Sequence, residues 1–134
     1  MEKELLFEAK ENATSFNIKE FSPEGAKIDI TLTGKINGKV KGTIITTHTV
    51  LMKPDGTSKI DHRSVIFSNG EPIFVMGTGM GKIVNPAPVR DVEEDLTFQT
   101  PSQKLAYLNT TKGWSKGPFN PETGEYNFKV YAVK

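Results

Sequence analysis

The chain has 134 residues and no cysteine. Disulfides, Cys-ligated zinc and thiol catalysis are therefore excluded. Histidine is nearly as scarce, with two copies at His48 and His62, and Trp114 is the one tryptophan. An excess of charge is missing too. Seventeen Lys and Arg stand against 16 Asp and Glu, a net charge of +1, and the lysines are spread rather than clustered. Such a surface exerts no bulk pull on nucleic acid or anionic lipid. No apolar run approaches the roughly 20 residues of a membrane span. The stretch "MEKELLFEAKENATSF" is charged and lacks the apolar segment of a secretory signal. These absences lead us to expect a cytoplasmic protein with no nucleic-acid or membrane partner. Its length suits one domain with one core over residues 1–134.

Helical periodicity is weak throughout. Short Ile/Val/Thr/Phe runs are instead separated by "FSPEG", "NG", "PDG", "NG", "NPAP" and "NPETG", each a turn signal. Strands are predicted at about 4–10, 15–21, 26–36, 39–53, 58–68, 71–79, 95–100, 105–116 and 125–133. Short helical turns fit only near Ser22–Gly25 and Ser102–Leu105. An antiparallel sheet of this length has to close or fold over on itself. The successive hairpins between residues 26 and 79 favour a meander. The expected fold is all-β, a closed antiparallel barrel of about eight strands.

Turn chemistry fixes the central register. At "KPDGT" a two-residue turn would put Pro54, which has no N–H, into a pair that exchanges both backbone hydrogen bonds. A three-residue loop avoids this, with Pro54 and Asp55 in a type I turn and Gly56 left-handed. His48 then faces His62, Val50 faces Ile60 and Ile44 faces Ile66. A type I′ turn at Asn69–Gly70 sets His62 opposite Gly77 and Ser64 opposite Val75. For "KINGK" a three-residue loop is preferred, which aligns Ile28, Ile30 and Leu32 with Thr46, Ile44 and Gly42.

One face then carries Ile28, Ile30, Leu32, Ile44, Thr46, His48, Val50, Met52, Ile60, His62, Ser64, Ile66, Ile73, Val75 and Gly77. It is aliphatic with a polar island at its centre. The opposite face includes Ile45, Leu51, Val65, Phe67, Phe74 and Met76. That is more apolar surface than a monomer usually shows to water, so a homo-oligomer, or cover by the N-terminal segment, is expected.

Opposed side chains on one face have Cβ atoms about 4.5–5.5 Å apart. His48 and His62 are thus candidate catalytic acid–base neighbours, set against the plainer reading of satisfied core histidines. Thr46 and Ser64 lie one pair further along, placed to orient an imidazole. Tyr107, Asn109, Trp114 and Met52 complete the candidate substrate-binding set. Tyr107 and Asn109 flank Leu108 and would share a face, while core packing is the default for Trp114 and Phe98. No metal is expected, since two histidines need an Asp or Glu to complete a site and no H-x-H or H-x-x-x-H spacing exists. No other cofactor is called for. The run "RDVEED" reads as a solvated loop, with a lid over a barrel mouth as its functional alternative. "GTGMG" lacks the features of a phosphate loop, and its glycines suit a sharp barrel bend.

The segment from about Val40 to Tyr131 carries "GTIITTHTVLMKPDGT", "DHRSVIFSNGEPIFVMGTG", "FQTPSQKLAYLN" and a closing "VYAV". In these stretches the chain resembles a bacterial and fungal family of small proteins of unknown function, whose fold resembles the allene oxide cyclase barrels. That resemblance implies an eight-stranded barrel with an apolar cavity, often oligomeric. Related barrels include cyclases and isomerases that shape a hydrophobic substrate. The expected function is small-molecule binding, as a cofactor-independent lyase or isomerase on a small apolar metabolite. A non-catalytic carrier or sensor, or a structural oligomer module, is the alternative.

Overall fold

The computed structural model describes residues 2–134. Eight strands follow in order: β1 Lys3–Ser22, β2 Gly25–Gly38, β3 Gly42–Met52, β4 Thr57–Ser68, β5 Glu71–Ile83, β6 Arg90–Gln99, β7 Lys112–Phe119 and β8 Glu125–Val133. Each pairs antiparallel with the next, and β8 returns to β1 to close the barrel. No described helix is long and apolar enough to cross a membrane.

The central hairpins have the register that their turns demand. Lys53 and Thr57 bracket the turn, with the Lys53 N–H donating to the Thr57 carbonyl at 2.9 Å. Gly56 is left-handed at φ 89°. Asn69 and Gly70, at φ 51° and 81°, form the type I′ turn. His48 pairs with His62, and His62 with Gly77. The first hairpin differs from expectation. Ile28, Ile30 and Leu32 face Val50, His48 and Thr46. The connection is longer because it does packing work: Val40 tucks into the core and the Lys39 N–H caps the Leu6 carbonyl at 2.8 Å. The register moved by an even number of residues, so the inward face kept its members.

Three other segments also depart from the sequence reading. The two short N-terminal strands are one twenty-residue strand, β1, bulged at Ala13/Ser15 and Ile18/Glu20. As barrel wall, β1 does not cover the apolar outer face of β3–β5. "RDVEED" is neither loop nor lid. It belongs to β6, with Val92, Glu94, Leu96 and Phe98 pointing inward. The segment before β7 is a 3-10 turn, Ala106–Thr110, rather than strand. The Asn109 side chain stitches that turn to Thr100, accepting from its N–H at 2.7 Å and donating to its carbonyl at 3.1 Å.

The barrel bend uses glycine by necessity. A Cβ on Gly77 would lie 1.9 Å from the Asp95 carbonyl oxygen, and one on Gly79 would lie 2.2 Å from that of Glu93. These close approaches press β6 against β5 and bring Glu94 under the histidines. Gly77→Ala is therefore expected to cost about 3 kcal/mol in urea unfolding. Gly81→Ala, whose nearest neighbour would be 3.6 Å away, should change little.

Candidate functional site

Most of the lumen is filled by aliphatic and aromatic side chains, among them Leu32, Ile44, Ile66, Ile73 and Phe128. Within this packing lies a continuous polar chain. Glu11 enters from β1, Thr46 and His48 from β3, His62 and Ser64 from β4, Glu94 from β6, Ser115 from β7 and Tyr126 from β8. All eight are buried, none more than 4% exposed.

The chain can be followed atom by atom. Thr46 donates its hydroxyl to Glu11 Oε1 at 2.9 Å, and Thr46 and Ser64 hydroxyls meet at 2.7 Å. Ser64 Oγ lies 2.6 Å from His62 Nε2. His62 Nδ1 lies 2.8 Å from His48 Nε2 and 3.1 Å from Glu94 Oε2, and His48 Nε2 lies 3.4 Å from the same oxygen. Glu94 Oε1 accepts from Tyr126 at 3.0 Å and from Ser115 at 3.4 Å. Each hydroxyl has a single proton to give. Since Thr46 donates to Glu11, Ser64 must donate to Thr46, and His62 Nε2–H must donate to Ser64. In the neutral imidazole, His62 Nδ1 is then bare, with its lone pair aimed at the point shared by His48 and Glu94.

The two carboxyls are poised differently. Desolvation is the largest influence on Glu11 and raises it to about 7, against the Thr46 hydrogen bond and the nearby His48, which lower it. Desolvation also acts on Glu94, but the charges and hydrogen bonds of His62 and His48 together overcome it. They hold Glu94 well below the usual carboxylate range. Burial and the adjacent Glu94 push the Tyr126 phenol well above its ordinary value, so it stays a donor. Glu11 Oε2 is buried with no hydrogen-bond partner among the described residues, and buried Glu94 Oε2 meets only the two imidazole nitrogens there. A buried carboxyl raised to about 7 is thus joined to an imidazole through two hydroxyls.

The structure thus brings together four of the sequence-derived candidates: His48, His62, Thr46 and Ser64. It does not bring the others to them. Tyr107 is half-exposed on the 3-10 turn, and Asn109 is engaged with Thr100. Trp114 points outward, under the Lys3 ammonium at 3.9 Å and beside Tyr131 at 5.7 Å, while Phe98 is buried in the core. Met52 is part-buried and packs against the edge of the core. Glu11, Glu94, Ser115 and Tyr126 were not singled out from the sequence. The signal for Glu94 is the alternation Val92, Glu94, Leu96, Phe98, which places one acid on an otherwise apolar face.

A concavity of about 920 Å³ runs by Lys27, Leu51, Lys59, Met80 and Trp114 and is also lined by the buried Ser58, Ile60 and Glu94. Ile45, Phe67, Phe74 and Met76 stand 45–57% exposed on the outer face of β3–β5, as their alternation requires.

No family model matches the chain, and no curated protein matches it. Solved structures share its fold. A protein of unknown function from Clostridium acetobutylicum superposes with TM-score 0.87 at 17% identity, covering 100% of both chains. A β-barrel-like protein from Acinetobacter baumannii gives 0.84 at 19% identity, covering 99% of this chain and 96% of the other. A protein from Penicillium herquei described as an enzyme gives 0.74 at 25% identity, covering 97% and 93%.

Proposed function

We propose that this barrel is an acid–base enzyme, a lyase or isomerase acting on a small, largely apolar molecule. The observation that carries this reading is the polar chain itself. Two carboxyls, two hydroxyls and two imidazoles lie in one unbroken line inside an apolar lumen. A barrel that only needed filling gains nothing from this, because buried charges are costly to desolvate and aliphatic side chains pack as well. In this reading Glu11 takes up or releases the proton, Thr46 and Ser64 pass it, and His62 and His48 present it to the substrate. Tyr126 and Ser115 hold Glu94, which keeps the imidazoles oriented. The Penicillium herquei structure, described as an enzyme, agrees with a catalytic reading and names no reaction.

The test is native mass spectrometry of protein purified from its own host, followed by turnover of whatever small molecule is found. His62→Gln is expected to lower turnover by about 100-fold or more while the protein stays folded by circular dichroism. Unchanged turnover in a folded His62→Gln protein contradicts the reading. A bound molecule that is released unaltered favours the carrier alternative.

We propose also that a second copy of the chain covers Ile45, Phe67, Phe74 and Met76. Light scattering is expected to report a multiple of the chain mass. Phe74→Lys with Met76→Lys should reduce it to one chain, and a wild-type monomer would refute the dimer.

A further inference from the structure

We propose that His48 Nε2, His62 Nδ1 and Glu94 Oε2 form a binding site for one divalent first-row transition-metal ion. The three atoms are 2.8, 3.1 and 3.4 Å apart. Three ligands at about 2.0–2.1 Å from one ion, at angles of roughly 85–110°, have that spacing. A shared proton explains the triangle less well. A proton on any one of the three atoms leaves the edge between the other two as a contact between bare lone pairs, and buried Glu94 Oε2 has no polar neighbour but the two imidazole nitrogens among the described residues. A cation satisfies all three atoms at once.

Two further observations agree. The hydroxyl chain from Glu11 requires the proton of neutral His62 on Nε2, which frees Nδ1 as a ligand. Two of the three ligating groups, His62 and Glu94, are also held from behind. His62 Nε2 meets Ser64 at 2.6 Å, and Glu94 Oε1 accepts from Tyr126 at 3.0 Å and Ser115 at 3.4 Å. Such outer hydrogen bonds orient metal ligands and fix the imidazole tautomer. Two imidazoles and one carboxylate suit zinc or iron(II) and disfavour magnesium or calcium, which prefer all-oxygen sites. Three protein ligands leave a coordination position for a water or a substrate oxygen. This inference rests on the reading of the cluster as a chemical centre, and it assigns the imidazoles to the ion while leaving Glu11 as the proton acceptor at the far end of the chain.

The experiment uses the full chain, unfolded in denaturant and refolded with a chelator, with Zn²⁺, with Co²⁺ or with Mg²⁺. Wild type is expected to retain one Zn²⁺ or Co²⁺ per chain after desalting, to melt higher with either, and to show a d–d absorption band with Co²⁺. Mg²⁺ should do none of these. Glu94→Gln and His62→Gln should weaken Zn²⁺ retention by about 100-fold, with folding checked by circular dichroism. A folded wild type that retains no Zn²⁺ or Co²⁺ overturns the inference, as does equal retention by folded Glu94→Gln and His62→Gln. These readouts are separate from turnover. A metal-free protein that still turns over its substrate sinks the metal site and leaves the acid–base enzyme. A loaded protein with no turnover does the reverse.

Discussion

Glu94→Ala alone is expected to destabilise the barrel by about 3–5 kcal/mol in urea unfolding. The combined variant His48→Leu, His62→Leu, Glu94→Met, Tyr126→Phe is expected to unfold no earlier than wild type. Removing Glu94 by itself takes the carboxylate from both buried imidazoles and leaves the Tyr126 hydroxyl without its acceptor, while the imidazoles keep each other and His62 keeps Ser64. It also leaves a cavity among Ser115, Gly79 and the aromatic wall. Replacing the whole group removes the cost of desolvation along with the attraction that offset it. Leu and Met approximate the volumes of His and Glu, and volume-conserving core changes are tolerated best. Thr46 and Ser64 keep each other as partners in that variant. The comparison separates a polar plug from a chemical centre. A plug kept for stability would make the aliphatic barrel much weaker than wild type.

Glu11→Gln is expected to stabilise the protein by about 3 kcal/mol at pH 8 and to change little at pH 4.5. The sign follows from Glu11 being raised from 4.5 to about 7. Between these values the folded protein holds a proton that the unfolded chain has released. Stability therefore falls as pH rises from about 4.5 to about 7 and stays low above it. Gln keeps the acceptor for the Thr46 hydroxyl and carries no charge, so it flattens that limb. Glu94 acts in the opposite sense. It is held below the usual carboxylate range, so its contribution is full above that range and is lost as acid protonates it. Urea midpoints of wild type and Glu11→Gln from pH 4 to 8 measure the Glu11 limb. If Glu11 is a proton store, the gain in stability comes with a loss of turnover.

Much of the fold was legible because turns in this chain have little freedom. Pro54 cannot donate, so the loop length followed, and from it the facing of His48 and His62. Asn69–Gly70 fixed the next hairpin in the same way. The first hairpin was less legible, because the length of "KINGKVKG" reflects where Val40 finds space in the core, which no local rule encodes. Half of the polar chain was legible for a related reason. Thr46, His48, His62 and Ser64 lie on hairpins with determined register. Glu11 and Glu94 do not: "KEN" interrupts the apolar pattern of β1, and "RDVEED" looks like solvated surface. In both, an inward acid breaks the alternation by which buried strands are recognised, and the partners that make it tolerable come from strands far along the chain. Tyr107 and Asn109 were misplaced because Ser102 and Thr100 organise a turn where alternation alone suggested a strand.

In the proposed site Glu11 and the imidazoles form one connected proton path. The chain has two histidines, so a ¹⁵N imidazole spectrum contains four ring nitrogens and each can be assigned. Followed from pH 5 to 8 in wild type and Glu11→Gln, after chelator treatment, it reads the path directly. A shift at His62 Nε2 is expected to track the ionisation of Glu11 near pH 7 and to disappear in Glu11→Gln. Imidazole spectra that are identical in the two proteins across that range would contradict it.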